Sequence, residues 1–377
     1  MSEIPPSGTL KVLSLAKKLE REGRDIIHLE VGEPDFKTPD HIKRAAEKAL
    51  AGEATKYTSS AGIPGLREAI ADSASEKGIE TAPDEVLVTP GAKHAIFCAM
   101  VATLDPGDEV LVPSPCWTYE GIIRVAGGRP LFVETTQADG FAIKAEKLQE
   151  KLTPKTRMLI LNYPNNPTGA IMGEKELRAI ADLAFDHKFW ILTDEIYDRL
   201  VYEGKHVSIA SMPGMHERTI YINGFSKTYA MTGWRLGYSI APVELVEAMV
   251  KVQQASTTCA ASFVQAAGIA ALKGPQDCVQ RMVEEYRERR DIITKGLNSI
   301  DGFECMKPKG AFYVFPSVEK LGRNSEELCE RLLREAGVAA VPGSAFGPYG
   351  EGHVRFSYAN SRDNIQRAID RMREVEL

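Results

Sequence analysis

Glu85-Val-Leu-Val-Thr-Pro-Gly-Ala-Lys-His94 opens the stretch that sets the architecture. Val86-Leu-Val88 is a short apolar run. After a turn holding Pro90 and Gly91, apolar residues recur at helical spacing at Ala95, Ile96, Ala99, Met100 and Leu104, and Val110-Leu-Val112 is a second short run. Apolar run, turn, helical periodicity and apolar run again is the pattern of strand, helix, strand. Further along, Met158-Leu-Ile-Leu161, Trp190-Ile-Leu192 and Ile220-Tyr-Ile222 are continuously apolar, as strands buried on both faces must be. An α/β fold with a mainly parallel sheet covered by helices is predicted.

The pattern changes after about residue 275. A charge-rich helix from Arg281 to Lys295, a strand-like Ala311-Phe-Tyr-Val-Phe315, a helix from Ser325 and a strand near His353-Val-Arg-Phe356 read as a smaller α+β unit. In the long helix Met282, Tyr286 and Ile293 could form an inward stripe, and Glu285 is spaced to pair with Arg281 and Arg289. A solvated connecting helix is the expectation.

The chain has 377 residues, 44% of them apolar, which is ample for a core and two or three domains. Its 46 basic and 52 acidic side chains leave a formal net charge of −6, so a polyanion finds no general attraction and a nucleic-acid partner is not expected. No apolar run is long enough to span a membrane, and Met1-Ser2-Glu3 begins no targeting signal, so a soluble, cytoplasmic protein is expected. The six cysteines lack paired spacing and the seven histidines lack a ligand motif, so neither disulfides nor a metal site is expected.

In open α/β sheets ligands gather beyond the carboxyl ends of the strands. Four loops there carry unusual residues. Thr89-Pro-Gly-Ala-Lys-His94 is a strand-to-helix junction that either cradles a phosphate or is a structural glycine turn. Asn162-Tyr-Pro-Asn-Asn-Pro-Thr-Gly169 is a rigid polar turn. Thr193-Asp-Glu-Ile-Tyr197 ends a strand with a carboxylate that either caps a helix or faces a ligand. The fourth, Asn223 to Arg235, places Lys227 and Arg235 among small and aromatic residues. An anion cradle, a strand-end acid, a phenol, an amide and a sheltered amine together suit pyridoxal 5′-phosphate (PLP), which needs an amine for a Schiff base, an acid for its ring nitrogen and an anion site.

These loops, with Gly32-Glu-Pro-Asp-Phe36, Tyr57-Thr-Ser-Ser-Ala-Gly-Ile-Pro-Gly-Leu-Arg67, Pro308-Lys-Gly-Ala-Phe-Tyr313 and Val354-Arg-Phe-Ser-Tyr-Ala359, resemble the class I aminotransferases of fold type I, most closely their bacterial and archaeal aspartate aminotransferase branch. The resemblance covers almost the whole chain. It implies a large α/β/α PLP-binding domain at 41–275, a small C-terminal domain at 276–377, and an N-terminal segment at 1–40 that joins the small domain. It also implies a homodimer with shared active sites.

Residue by residue, the resemblance gives Lys227 the covalent hold on PLP and the proton transfer at the substrate Cα, and Asp194 the ring nitrogen. Tyr197 and Asn166 match the groups on the ring's phenolic oxygen, and Trp117 matches the ring stacked on the cofactor. Gly91, the N–H groups of Ala92 and Lys93, Arg235, and Tyr57 from a second subunit match the phosphate site. Arg355 matches the bidentate grip on the substrate α-carboxylate, assisted by Gly32 and Asn166, a geometry lysine cannot reproduce. The chain departs at Gly224, where many relatives carry a serine for the phosphate.

The implied reaction is a ping-pong amino-group exchange between an L-amino acid and 2-oxoglutarate. Aspartate is favoured, because Lys93 and Thr9 match a lysine and a threonine that meet the distal carboxylate in the thermophilic bacterial branch. Aromatic, alanine and prephenate/arogenate transamination remain alternatives, as does a PLP-dependent β-lyase on the same fold. A non-enzymatic sensor module is disfavoured by the net negative charge and by a resemblance that begins within the first ten residues.

Overall fold

The computed structural model describes residues 8–376. Strand β1 (Ile27–His28) comes from the N-terminal segment. The central sheet is built from β2 (Val86–Thr89), β3 (Glu109–Ser114), β4 (Arg129–Glu134), β5 (Thr156–Asn162), β6 (Trp190–Asp194), β7 (Thr219–Gly224) and β8 (Gly237–Ile240), in the order β2-β8-β7-β6-β5-β3-β4. Only β8 runs against its neighbours β2 and β7; the other pairings are parallel.

The apolar runs explain the layers. Along β3, β5 and β6, Leu111, Leu159, Leu161 and Ile191 face the helix Glu174–His187 through Leu177, Ile180 and Ala184. Alternate residues Val110, Val112, Met158, Ile160 and Leu192 face the helices Ala92–Thr103 and Val243–Ser256. Side chains of a strand alternate between faces, so continuous apolar runs bury both.

Beside this sheet, β9 (Tyr313–Val314), β10 (Val338–Ala339), β11 (Val341–Pro342) and β12 (Val354–Ser357) form two small sheets, ordered β11-β12-β9 and β1-β10. Because β1 pairs with β10, the smaller α+β unit draws on both ends of the chain. The strand-like Ala311–Phe315 run contracts to Tyr313–Val314 because Ala311 takes a left-handed φ of 56°, which no strand continues through.

The long helix departs from its expectation. Asp277–Leu297 is no solvated connector: Met282, Tyr286 and Ile293 are buried against Phe312, Phe356, Ile365 and Ile369. Its charges still face water in part, and Glu285 pairs with Arg289 (2.9 Å) and with Arg362 (2.5 Å). The same apolar cluster takes in Ile196, Tyr197 and Leu200 from the turn after β6, so the end of the central sheet and the small unit share one core. Among the described residues no helix is long and apolar enough to cross a membrane.

Candidate active site

Four parallel strands deliver their carboxyl ends to one edge, and the four sequence-identified loops meet there. At the first, Gly91 precedes the helix Ala92–Thr103 with φ 84°. The positive φ favours glycine at 91, and the guanidinium of Arg235 folds over the helix start, its Nη2 2.5 Å from where a β-carbon of residue 91 would lie. Arg235 is itself left-handed (φ 54°) and donates from Nη1 to the Thr232 carbonyl (2.8 Å). The Ala92 and Lys93 amides precede the helix's own hydrogen-bond ladder and are available to an anion. Gly224 closes this corner: a β-carbon there would sit 3.0 Å from the Cα of Gly237 and 3.1 Å from the Leu236 carbonyl. β7 and β8 pair antiparallel with Gly224 opposite Gly237, so a side chain at 224 would meet backbone of the neighbouring strand.

Lys227, half-buried as a residue, follows β7 on an otherwise buried turn, and its sheltered Nζ donates to the Gly32 carbonyl at 2.5 Å. Burial pushes its ammonium down to about 8; Glu33 opposes that shift, while Arg355 and Arg235 add to it. Asp194, at the end of β6, is buried. One carboxylate oxygen accepts from the Tyr119 hydroxyl (2.7 Å) and the other from the Ile196 N–H (3.3 Å). Burial raises this acid to about 6, against the pull of both donors.

The Asn162–Gly169 turn is fixed by its own amides. Asn162 donates to the Asp194 carbonyl (2.9 Å) and accepts from the Asn166 N–H (3.1 Å), while Asn165 accepts from the Thr168 N–H and hydroxyl. Asn166 is thereby held where its Oδ1 accepts from Nη1 of Arg355 (3.0 Å). Arg355, on β12, is 2% exposed, donates from Nη2 to the Glu30 carbonyl (2.5 Å), and lies 4.6 Å from the ring centre of Tyr313 and 5.0 Å from that of Phe346. Its buried Nε has no hydrogen-bond partner. The hydroxyls of Tyr197 and Tyr313 are bonded at 2.8 Å, and burial holds the Tyr197 phenol far above its ordinary range.

Lys227, Asp194, Tyr197, Asn166, Arg355 and Gly32 therefore converge, with Gly91, Ala92, Lys93 and Arg235 forming the adjoining corner. Trp117 is half-buried, with Nζ of Lys93 4.5 Å from its ring centre. Burial, then Arg235, lowers the Lys93 ammonium. A cavity of about 1420 Å³ opens beside these two residues, lined by apolar Val12 and Phe97 and by charged Lys11, Lys18, Glu326 and Glu330, while Lys227, Asp194 and Arg355 do not line it. Tyr57 is not brought to the cluster by its own chain; it is 87% exposed. The side chain of Thr9 lies outside the described residues.

Sequence reasoning passed over Tyr119 and Tyr313. Tyr313 ends the Pro308–Tyr313 stretch and Tyr119 stands two residues after Trp117, so a phenol beside a residue already singled out was the available signal. Glu30 was also missed, because its contribution to Arg355 is a backbone carbonyl, which side-chain chemistry does not reveal.

Comparison with known proteins accords with this geometry. Residues 24–372 match the family model described as aminotransferase class I and II. The chain is 44% identical over 378 residues to aromatic-amino-acid aminotransferase 2 of Thermococcus litoralis, covering 99% of this chain and 96% of that one. It is 44% identical over 375 residues to the aspartate/prephenate aminotransferase of Thermus thermophilus, covering 98% and 96%. The solved structure of the aspartate aminotransferase from Thermus thermophilus with maleate superposes with a TM-score of 0.95 at 43% identity, covering 99% of this chain and 97% of that one. By fold, by site geometry and by full-length similarity, this chain belongs to the class I and II aminotransferases.

Proposed function

We propose that the chain holds pyridoxal 5′-phosphate at this site and uses it to exchange an amino group between L-aspartate and 2-oxoglutarate. The family and fold are PLP-dependent in general. The donor set fits the group: two outward helix amides and Arg235 for a phosphate, a buried acid for a ring nitrogen, and a sheltered amine for an aldehyde. When bound, the cofactor supplies a sink for the electrons of the substrate's Cα–H bond.

The observation that carries this reading is a sheltered lysine placed where the charge of a buried strand-end carboxylate acts on it. A buried ammonium brought down to about 8 yields a usable neutral amine near neutral pH, so Lys227 can bind the aldehyde and carry a proton to and from Cα. Asp194 stabilises a cation set against it. Tyr197 and Asn166 address the ring's phenolic oxygen, and Trp117 covers the ring face. Arg355 grips the α-carboxylate with its fork, with Gly32 and Asn166 beside it; the partnerless Nε is a donor awaiting an acceptor. Lys93 and Thr9 receive the distal carboxylate.

The exposed Tyr57 completes the phosphate site of a second copy, making the working unit a homodimer. Residues 41–275 form the cofactor-holding domain, and 1–40 join 276–377 in the smaller one. Six unpaired cysteines accord with a reducing, cytoplasmic setting. A second reading, an aromatic or prephenate-type substrate, is supported by the aromatic-amino-acid and aspartate/prephenate aminotransferases among the relatives.

The test is a half-reaction screen: the PLP-loaded protein is mixed with single amino acids and its conversion to the pyridoxamine form is followed by absorbance. Fastest conversion with aspartate and glutamate is expected. Faster conversion with phenylalanine or tyrosine would favour the second reading, and pyruvate with ammonia from cysteine conjugates would favour a lyase.

A further inference from the structure

We infer that Tyr119 is a positioning residue, one that aims the Asp194 carboxylate and favours its charged form so that the acid can sit against a cationic ring nitrogen. The inference rests on the reading of Asp194 given above and goes beyond it to a residue argued to act through that acid.

Tyr119 is 1% exposed, and its hydroxyl donates to Oδ2 of Asp194 at 2.7 Å. The other oxygen, Oδ1, takes the Ile196 N–H of its own turn. Two donors from two separate elements, one on each oxygen, fix the plane of the carboxylate and leave its remaining lone pairs for a third donor. The Tyr119 ring meets Trp117 edge-on, with centroids 5.1 Å apart and an interplanar angle of 76°, and the Tyr119 N–H donates to the Trp117 carbonyl (2.7 Å). One residue thus supports both the acid and the aromatic face of the site.

The electrostatics agree with the geometry. Burial works against a charged Asp194, and neighbouring Glu195 works the same way; the Tyr119 hydroxyl, the Ile196 N–H and the Lys227 ammonium oppose them. Of the two hydrogen bonds the phenol's is much the shorter, and a hydrogen bond to a charged acceptor is among the stronger kinds. Burial and the Asp194 charge hold the Tyr119 phenol far above its ordinary range, so it remains a donor throughout the working pH range.

The test measures the dissociation constant of PLP from the loaded protein by equilibrium dialysis, from about pH 5 to 8, across the range where a perturbed carboxyl titrates. It compares wild type, Tyr119→Phe, Asp194→Asn and the double variant. In Tyr119→Phe the Kd is expected to rise by up to about tenfold at the acid end, the limit set by a shift of one pH unit. The midpoint of acid release should move up by about one pH unit. In the Asp194→Asn background the same substitution should cost little more, because the phenol acts through that acid.

A phenol that serves only the core would lower the melting temperature of the cofactor-free chain and leave the midpoint in place, and that result overturns the inference. Equal losses in both backgrounds overturn it as well. If Asp194→Asn binds PLP as tightly as wild type, the reading of Asp194 itself falls and the inference falls with it.

Discussion

Arg355 shows how much of the proposed chemistry depends on the shape of one side chain. Its guanidinium lies against the rings of Tyr313 and Phe346, and its two terminal nitrogens are already aligned on Asn166 and the Glu30 carbonyl. A planar fork in a fixed frame meets a carboxylate without reorganising, whereas an ammonium is a point charge with no preferred plane. Arg355→Lys is therefore expected to lower kcat/KM for amino acids by about a hundredfold, with most of the loss in KM. Steady-state kinetics check this, and an unchanged KM would remove Arg355 from substrate binding. Lys227, Asp194 and Arg355 were legible in the sequence because each is an ionisable residue at a motif position. Tyr119 was not, because its role is set by the distance of its hydroxyl from Asp194, and spacing along the chain carries no such information.

At the scale of elements, the continuously apolar strands were readable, while Arg129–Glu134 and Gly237–Ile240 were not. The first contains Pro130 and has partly open faces, so its pattern is broken. The second is four residues long and begins with Gly237, yet it fills the place between β2 and β7. It matters for the phosphate corner, because a β-carbon at Gly237 would lie 2.2 Å from the Ala92 nitrogen, the backbone atom assigned to the anion. That contact is with backbone and has no rotamer to yield. Gly237→Ala is expected to cost about 1–3 kcal/mol of stability, as overpacking does, and to weaken PLP binding as the helix start is displaced. Thermal unfolding with and without PLP measures both effects; wild-type values for both would show that the corner adapts. The long helix misled for a related reason: its charges are numerous, but Met282, Tyr286 and Ile293 share the face that the small unit buries.

At the scale of the whole molecule, the N-terminal helix Gly8–Arg21 is fastened by packing of Ala16 and Leu19 against Leu333 and Ala339, by an exposed ion pair of Lys11 with Glu326 (4.0 Å) and by a link to His28. His28 bonds Glu30 through Nδ1 (2.7 Å) and Glu20 of that helix through Nε2 (3.0 Å). The Glu30 hydrogen bond is the chief cause of a rise in the His28 pKa to about 9, against the effect of burial. A folded-state value above the ordinary histidine value of about 6.5 means the link contributes fully below that pH and is lost as pH rises through about 9. Cleavage within residues 8–21 by a protease active at alkaline pH is expected to increase above pH 9 in wild type. In His28→Gln it should be elevated at every pH, with no step. A wild-type profile without a step would show that the His28 link does not hold the helix.

These scales meet at a single nitrogen, the Nζ of Lys227, lodged on the Gly32 carbonyl and acted on by the charge of Asp194. The most direct measurement is borohydride reduction of the PLP-loaded protein, followed by mass mapping of the peptides. One pyridoxyl group per chain on the peptide carrying Lys227, absent from Lys227→Ala, is the expected result. A label on another lysine, or none after full loading, would contradict the account.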